Sequence, residues 1–209
     1  MNGFLRFLGL VGLSMRYYYL NLRITDTVVR DWVKDVCDKF DIEIQCDGKF
    51  EHDRFVILAN HESYFDIPAL YKCCDEKLIW VAKEELFGVP IVGHALRDLD
   101  AVPVDRFDDF KSARAILKLL KSFVSGGIVV FPQGTRMEKS AFHMGGVFLA
   151  KKKCLPIYPV KILGANGILP VGKVVLNKGK VLVRVFEPID TSLHSQEEIK
   201  KRVKELIYD

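Results

Sequence analysis

The chain has no apolar run long enough to cross a bilayer. Its most apolar stretch, residues 4–13, is interrupted by Arg6 and followed by Arg16. The run between those two arginines is far shorter than the roughly 20 residues that a spanning helix requires. No small-residue cleavage site follows it, which argues against a secretory signal. Paired cysteine spacing is also missing. Cys37, Cys46, Cys73, Cys74 and Cys154 contain no C-x-x-C pair, so the common zinc and thioredoxin-type signatures are excluded. The expectation is five reduced thiols in a cytoplasmic protein. Dense positive charge is absent too: a net charge of +4 suits contact with phosphate or anionic lipid but falls short of a nucleic-acid footprint. No repeat, low-complexity tract or Pro/Gly/Ser-rich linker divides the chain.

What is present is the composition of a folded protein. Hydrophobic residues make up 49% and charged residues 28% of 209 positions, enough for one real core without metal or disulfide staples. The N-terminal stretch reads as an interfacial helix. Its leucines and phenylalanines can be buried, Tyr17, Tyr18 and Tyr19 suit headgroup depth, and Arg6, Arg16 and Arg23 can pair with lipid phosphate. The alternative is a helix packed on the domain's own core. Asp26 can cap a second helix over residues 27–40, where Val29, Trp32, Val33, Val36 and Phe40 recur at helical spacing. Residues 1–45 are thus expected to form a two-helix membrane-docking segment, and residues 46–209 the catalytic domain.

The remainder alternates between strand and helix patterns. Residues 55–59 form a short buried strand that runs into Asn60-His61-Glu62-Ser63. Residues 77–82 and 101–104 are extended, residues 110–124 are helical with Gly126-Gly127 as the stop, and residues 128–131 are a strand. A helix near residues 145–152 leads to a strand over 156–162. Asn177-Lys178-Gly179-Lys180 predicts a hairpin between strands 171–176 and 181–186. Ser195 with Glu198 forms a capping box for the last helix. The expected fold class is α/β: a mixed central sheet with flanking helices, preceded by two N-terminal amphipathic membrane-docking helices.

Two polar clusters fall at strand ends, where active sites of such sheets sit. In His61-Glu62-Ser63-Tyr64-Phe65-Asp66 a carboxylate five residues after a histidine can bond one ring nitrogen. That bond fixes the tautomer and leaves the other nitrogen to take a proton from a hydroxyl. Read alone, the pair is equally a surface histidine and a helix-capping aspartate. In Phe131-Pro132-Gln133-Gly134-Thr135-Arg136, Gly134 permits close backbone approach, Thr135 adds a hydroxyl and Arg136 offers a fork of donors for phosphate. A plain turn is the alternative. Lys83 and Arg106, each after an extended piece, can join Arg136 around one anion.

In this order the blocks resemble the glycerolipid acyltransferases, including bacterial 1-acylglycerol-3-phosphate acyltransferases. The resemblance runs from about Phe55 to Ile162. It rests on Asn60-His61-x-x-x-x-Asp66, on Lys83-Glu84-Glu85-Leu86 through Gly93 to Val104-Asp105-Arg106, on Phe131 to Arg136, and on Leu155 to Val160. It implies His61 as base, Asp66 as its orienter, and Lys83, Arg106 and Arg136 as the phosphate set. Gln133, Gly134 and Thr135 would lie at the substrate and oxyanion side, and Pro156 to Val160 would line the acyl side. The resemblance implies a lysophospholipid acceptor, acyl-CoA or acyl carrier protein as donor substrate, and no cofactor or metal. Its expected place is the cytoplasmic face of the membrane. One departure stands out: Gln133 occupies a position where the family usually has glutamate. The acceptor is kept and the charge is lost.

Overall fold

The computed structural model describes residues 2–21, 23–105, 115, 116, 118, 121, 123–134 and 142–208. Seven strands form one sheet: β1 (Ile42–Asp47), β2 (Arg54–Ala59), β3 (Leu78–Lys83), β4 (Val102–Val104), β5 (Gly126–Val130), β6 (Ile157–Leu163) and β7 (Gly179–Val185). Their order is β1-β7-β6-β2-β5-β3-β4. The strands from β6 to β4 are mutually parallel, β7 is antiparallel to β6, and β1 is parallel to β7. The C-terminal ends of β2, β3, β4, β5 and β6 therefore share one edge with the first residues of β7 and β1.

Parallel strands must be covered on both faces, and β2 shows how the sequence meets that demand. Phe55, Ile57 and Ala59 point into a core with α1 (Gly3–Leu20), α2 (Asp26–Phe40) and α3 (Asp66–Cys73). Val56 and Leu58 point the other way, toward α5 (Gly145–Lys152) and α7 (Gln196–Tyr208). Other elements of described extent are α4 (Val92–Asp98) and the single turn α6 (Ala165–Ile168), with a 3₁₀ turn over Glu84–Gly88. Gly146 lets α5 lie hard against the sheet: a Cβ there would come within 2.6 Å of Leu58 Cδ2. The capping box at α7 forms as expected, with Ser195 N–H donating to Glu198 at 2.7 Å and Glu198 N–H to Ser195 Oγ at 3.3 Å.

Several sequence expectations are corrected. The cap of α2 is Thr25, whose Oγ accepts from Val28 N–H at 3.3 Å, while Asp26 accepts from Leu78 N–H at 3.2 Å and ties α2 to β3. The hairpin does not form: residues 173–178 carry no strand, and β7 pairs with β6 and β1 instead. The mixed sheet offered β7 the preceding strand β6 on one side and the distant β1 on the other, which local turn propensity cannot register. Gly126-Gly127 open β5 rather than stop a helix. Most of the helix expected over residues 110–124 lies outside the described residues. The expected division at residue 45 falls inside β1.

The cysteine expectation is overturned as well. Cys46 at the end of β1 and Cys73 at the end of α3 form a disulfide across 27 residues, with Cα atoms 5.5 Å apart. The spacing test missed it because the partners meet only when α3 packs on β1. Cys74, next in the chain, is a buried thiol pushed up to about 12, chiefly by burial.

The two N-terminal helices differ. The apolar side of α2 is used up inside the domain, with Val33, Val36 and Phe40 almost fully buried. Arg30 of α2 donates to the carbonyls of Tyr71, Cys74, Asp75 and Glu76, closing the C-terminal end of α3. On α1, Leu10 and Leu13 are buried, whereas Phe4, Leu5, Leu8, Val11, Met15, Tyr19 and Leu20 are exposed. Arg6, expected at lipid phosphate, donates to Phe40 C=O and pairs with Asp41 at 3.2 Å. Tyr17 and Tyr18 also turn inward, to Asp35 at 2.8 Å and to His94 Nδ1 at 3.0 Å. No helix among the described residues is long and apolar enough to cross a membrane.

Candidate active site

The site begins where β2 runs out. Asn60 continues the ladder with its side chain: Nδ2 donates to Ile162 C=O at 2.9 Å, and Oδ1 accepts from Ile162 N–H at 2.7 Å. This amide fixes the end of β2 to β6 just before the chain turns. Ser63 fixes the far side of the turn, donating to Leu169 C=O at 2.7 Å and accepting from Phe65 N–H at 3.0 Å. Both bonds of that hydroxyl are structural, so it is not a nucleophile.

Between these ties stands His61, whose Nδ1 lies 2.7 Å from Asp66 Oδ2. An ionised carboxylate only accepts, so the bond requires the hydrogen on Nδ1 and makes Nε2 the proton-accepting nitrogen. The same Oδ2 accepts from Glu62 N–H and Ser63 N–H, each at 2.9 Å. Asp66 is also the first residue of α3, where the helix dipole favours a negative charge. Asp66 does not cap α3, whose N-cap position is Phe65 with no side-chain cap hydrogen bond; its carboxylate instead folds back onto the preceding turn and His61. Asp66 is about 1% exposed and its Oδ1 has no hydrogen-bond partner among the described residues.

The second cluster meets the first through the register of β2 and β5. Leu58 pairs with Val130, so His61 and Gln133 each lie three residues past a paired position. Gln133, almost fully buried, accepts from the His61 backbone N–H at 2.7 Å. Its amide oxygen thus does positional work that needs no negative charge. Phe131 stacks on the imidazole, with centroids 3.9 Å apart and 13° between planes. Trp80 stands behind Phe131 at 6.2 Å and donates to the Tyr71 hydroxyl at 3.0 Å. The ring of His61 is consequently held at one edge, on one face and through its own backbone.

Gly134 has φ +68°, a conformation that favours glycine. Its N–H donates to Phe131 C=O at 3.0 Å, inside the turn. His143 N–H donates to Pro132 C=O at 2.7 Å and closes the loop from the other side. Thr135, Arg136 and Arg106 lie outside the described residues. Lys83 ends β3, two strands from β2 and so on the order of 10 Å away along the same edge. It pairs with Glu85 at 2.8 Å. Pro156 to Val160, expected beside the acyl chain, lie at and within β6; Ile157, Tyr158 and Val160 are buried in the sheet. No group of three or more His, Cys, Asp and Glu side chains among the described residues is placed to hold a metal ion.

Sequence reasoning found His61, Asp66 and Gln133 but missed Asn60, Ser63 and Phe131 as the parts that hold them. It also named no partner for the other histidines. His52 shares a 2.6 Å bond with the Tyr158 hydroxyl, His94 meets Tyr18 and Asp98, and His194 lies 3.1 Å from Arg202.

A family model described as Acyltransferase matches residues 41–163. The chain is 29% identical to the 1-acyl-sn-glycerol-3-phosphate acyltransferase of Helicobacter pylori over 166 residues, 75% of this chain and 70% of that one. It is 32% identical to the Bacillus subtilis protein of the same name over 139 residues, 65% and 66% of the two chains. A chloroplast protein of that activity from Brassica napus is 29% identical, but the match spans only 40% of its length. The fold is that of the PlsC acyltransferase crystal structure from Thermotoga maritima, with a TM-score of 0.73 at 24% identity over 97% of this chain and 94% of that one.

Proposed function

The chain belongs to the acyltransferase family, and on that premise we propose that it is an O-acyltransferase moving a fatty acyl group onto 1-acylglycerol-3-phosphate. The observation that carries this reading is the 2.7 Å bond between His61 Nδ1 and Asp66 Oδ2, set at the sheet edge where ligands of α/β folds bind. The acceptor hydroxyl gives its proton to His61 Nε2 as its oxygen attacks the thioester carbonyl of acyl-CoA or acyl carrier protein. A carbon–oxygen bond forms, the carbon–sulfur bond breaks, and the proton passes from His61 to the leaving thiolate. Asp66 stabilises the imidazolium that exists between these steps. A placed base contributes on the order of 10²–10⁴-fold.

Lys83, Arg106 and Arg136 hold the acceptor's phosphate in this reading. Lys83 then exchanges Glu85 for substrate, and the parallel order of β2, β5, β3 and β4 supports the grouping. The exposed apolar side of α1 supports docking on a membrane surface, in this reading its cytoplasmic face. From there an acceptor reaches His61 without its acyl chain entering water, at a saving of ~0.8 kcal/mol per CH₂. The test is incubation with 1-acylglycerol-3-phosphate and radiolabelled palmitoyl-CoA beside His61→Ala. Labelled phosphatidic acid from wild type alone is the expected result. A folded wild type that forms no acylated product with either thioester donor would leave a lipid-phosphate binding protein in place of an enzyme.

A further inference from the structure

The segment before Asp26 carries no acidic residue, and neither does the long stretch between Glu138 and Glu187. The fold brings them together. Leu176 N–H donates to Gly3 C=O at 2.9 Å, tying the connection between β6 and β7 to the first turn of α1. A Cβ on Gly3 would lie 3.3 Å from Val175 Cβ. Lys178 shares a surface depression with Gly3, Arg6 and Asn177.

Around this junction exposed apolar and cationic side chains stand beside two exposed carboxylates, Asp41 and Glu43, both taken up in ion pairs. Phe4, Leu5 and Leu8 are each about half exposed, and Val174 is 53% exposed. The neighbouring cations Lys180 and Arg6 are matched, to Glu43 at 2.8 Å and Asp41 at 3.2 Å. Lys173 and Lys178 are exposed and make no ion pair among the described residues. An apolar tip between two unmatched lysines, beside an apolar helix side, is complementary to the headgroup layer of an anionic bilayer. The junction also lies at the edge that bears His61. β7 runs against β6, and with Leu163 opposite Leu182 its start at Gly179 lies beyond the end of β6, on the side toward which β2 also runs.

We propose that Lys173, Val174 and Lys178 form a second contact with anionic phospholipid, which acts with α1 to hold the His61 edge against the bilayer. The proposal rests on the acyltransferase reading only for its purpose, the delivery of a lipid acceptor. The surface itself is tested without catalysis. The full chain is floated with vesicles of phosphatidylcholine alone and with phosphatidylglycerol added. Wild type should prefer the anionic vesicles, and Lys173→Gln/Lys178→Gln should lose about 30-fold of that affinity, at about five-fold for each lysine near such a surface. Lys200→Gln/Lys201→Gln on α7 removes the same charge elsewhere and should lose little. Equal loss in both double variants, or no anionic preference in wild type, overturns the proposal. Turnover of a short-chain, water-soluble acceptor, together with the melting temperature, checks that the variants fold. If wild type shows no turnover, the function fails while the flotation result still decides the surface.

Discussion

The two ends of β2 each carry a histidine bonded through Nδ1 to a single oxygen. Beyond the C-terminal end, His61 meets the Asp66 carboxylate at 2.7 Å; before the N-terminal end, His52 meets the Tyr158 phenol at 2.6 Å. The bond lengths are nearly equal, so they do not separate the two sites. Charge and enclosure do. Asp66 is buried at a helix start and can balance an imidazolium, while its oxygen is held by two further N–H groups. Tyr158 is a core aromatic packed against Phe50 and Phe55, and its hydroxyl also accepts from Glu51 N–H at 3.0 Å. Burial pushes that phenol's pKa up, so it stays neutral and offers no counter-charge to a protonated ring. His52 is exposed and has no aromatic ring stacked on its face like Phe131 on His61. His52 thus has the surroundings of a structural tie, whereas the buried carboxylate and fixed ring of His61 are what the proposed base requires.

The sharpest way to test that distinction is Asp66→Asn. The amide keeps an oxygen for the turn N–H groups but no longer selects the tautomer, and kcat should fall on the order of 10²–10⁴-fold with the melting temperature little changed. A drop in stability that tracks the loss of activity would make Asp66 a structural residue like Tyr158. Next is Gln133. Removing it in Gln133→Ala leaves the His61 N–H without its acceptor, at a cost of about 1–3 kcal/mol, seen in denaturant titration and in a lower kcat. Gln133→Glu keeps the acceptor and should retain most activity; equal damage from both variants would refute a positional role. The smallest effect belongs to the other end of β2. His52→Ala should leave kcat unchanged and cost about 0.5–1.5 kcal/mol at most, and a His52 variant that slowed turnover would collapse the contrast.

How much of this was legible beforehand varies by element. β2 and β5 are continuous apolar runs ending in polar clusters, and that pattern is the direct consequence of a parallel sheet buried on both faces. The pairing of His61 with Asp66 follows from a separation short enough for one turn to close. The hairpin over residues 171–186 failed because a good turn signal was outbid by pairing with β6 and with the distant β1. The disulfide was invisible because Cys46 and Cys73 are adjacent only through the packing of α3 on β1. Gln133 was read correctly as an acceptor that had lost a charge, but what it accepts from lies across two parallel strands.

By itself the sequence determined the α/β alternation and most of its elements, and it singled out His61 and Asp66 as a pair, because each depends on residues within one turn or one strand. The tertiary structure decided everything that needs two distant segments at one place. It set the register that brings Gln133 to the His61 backbone, and the stacking of Phe131 on the imidazole. It also used up the apolar side of α2 in the core while leaving that of α1 exposed. Hydrophobic periodicity reports that a side will be buried, but only packing specifies against what.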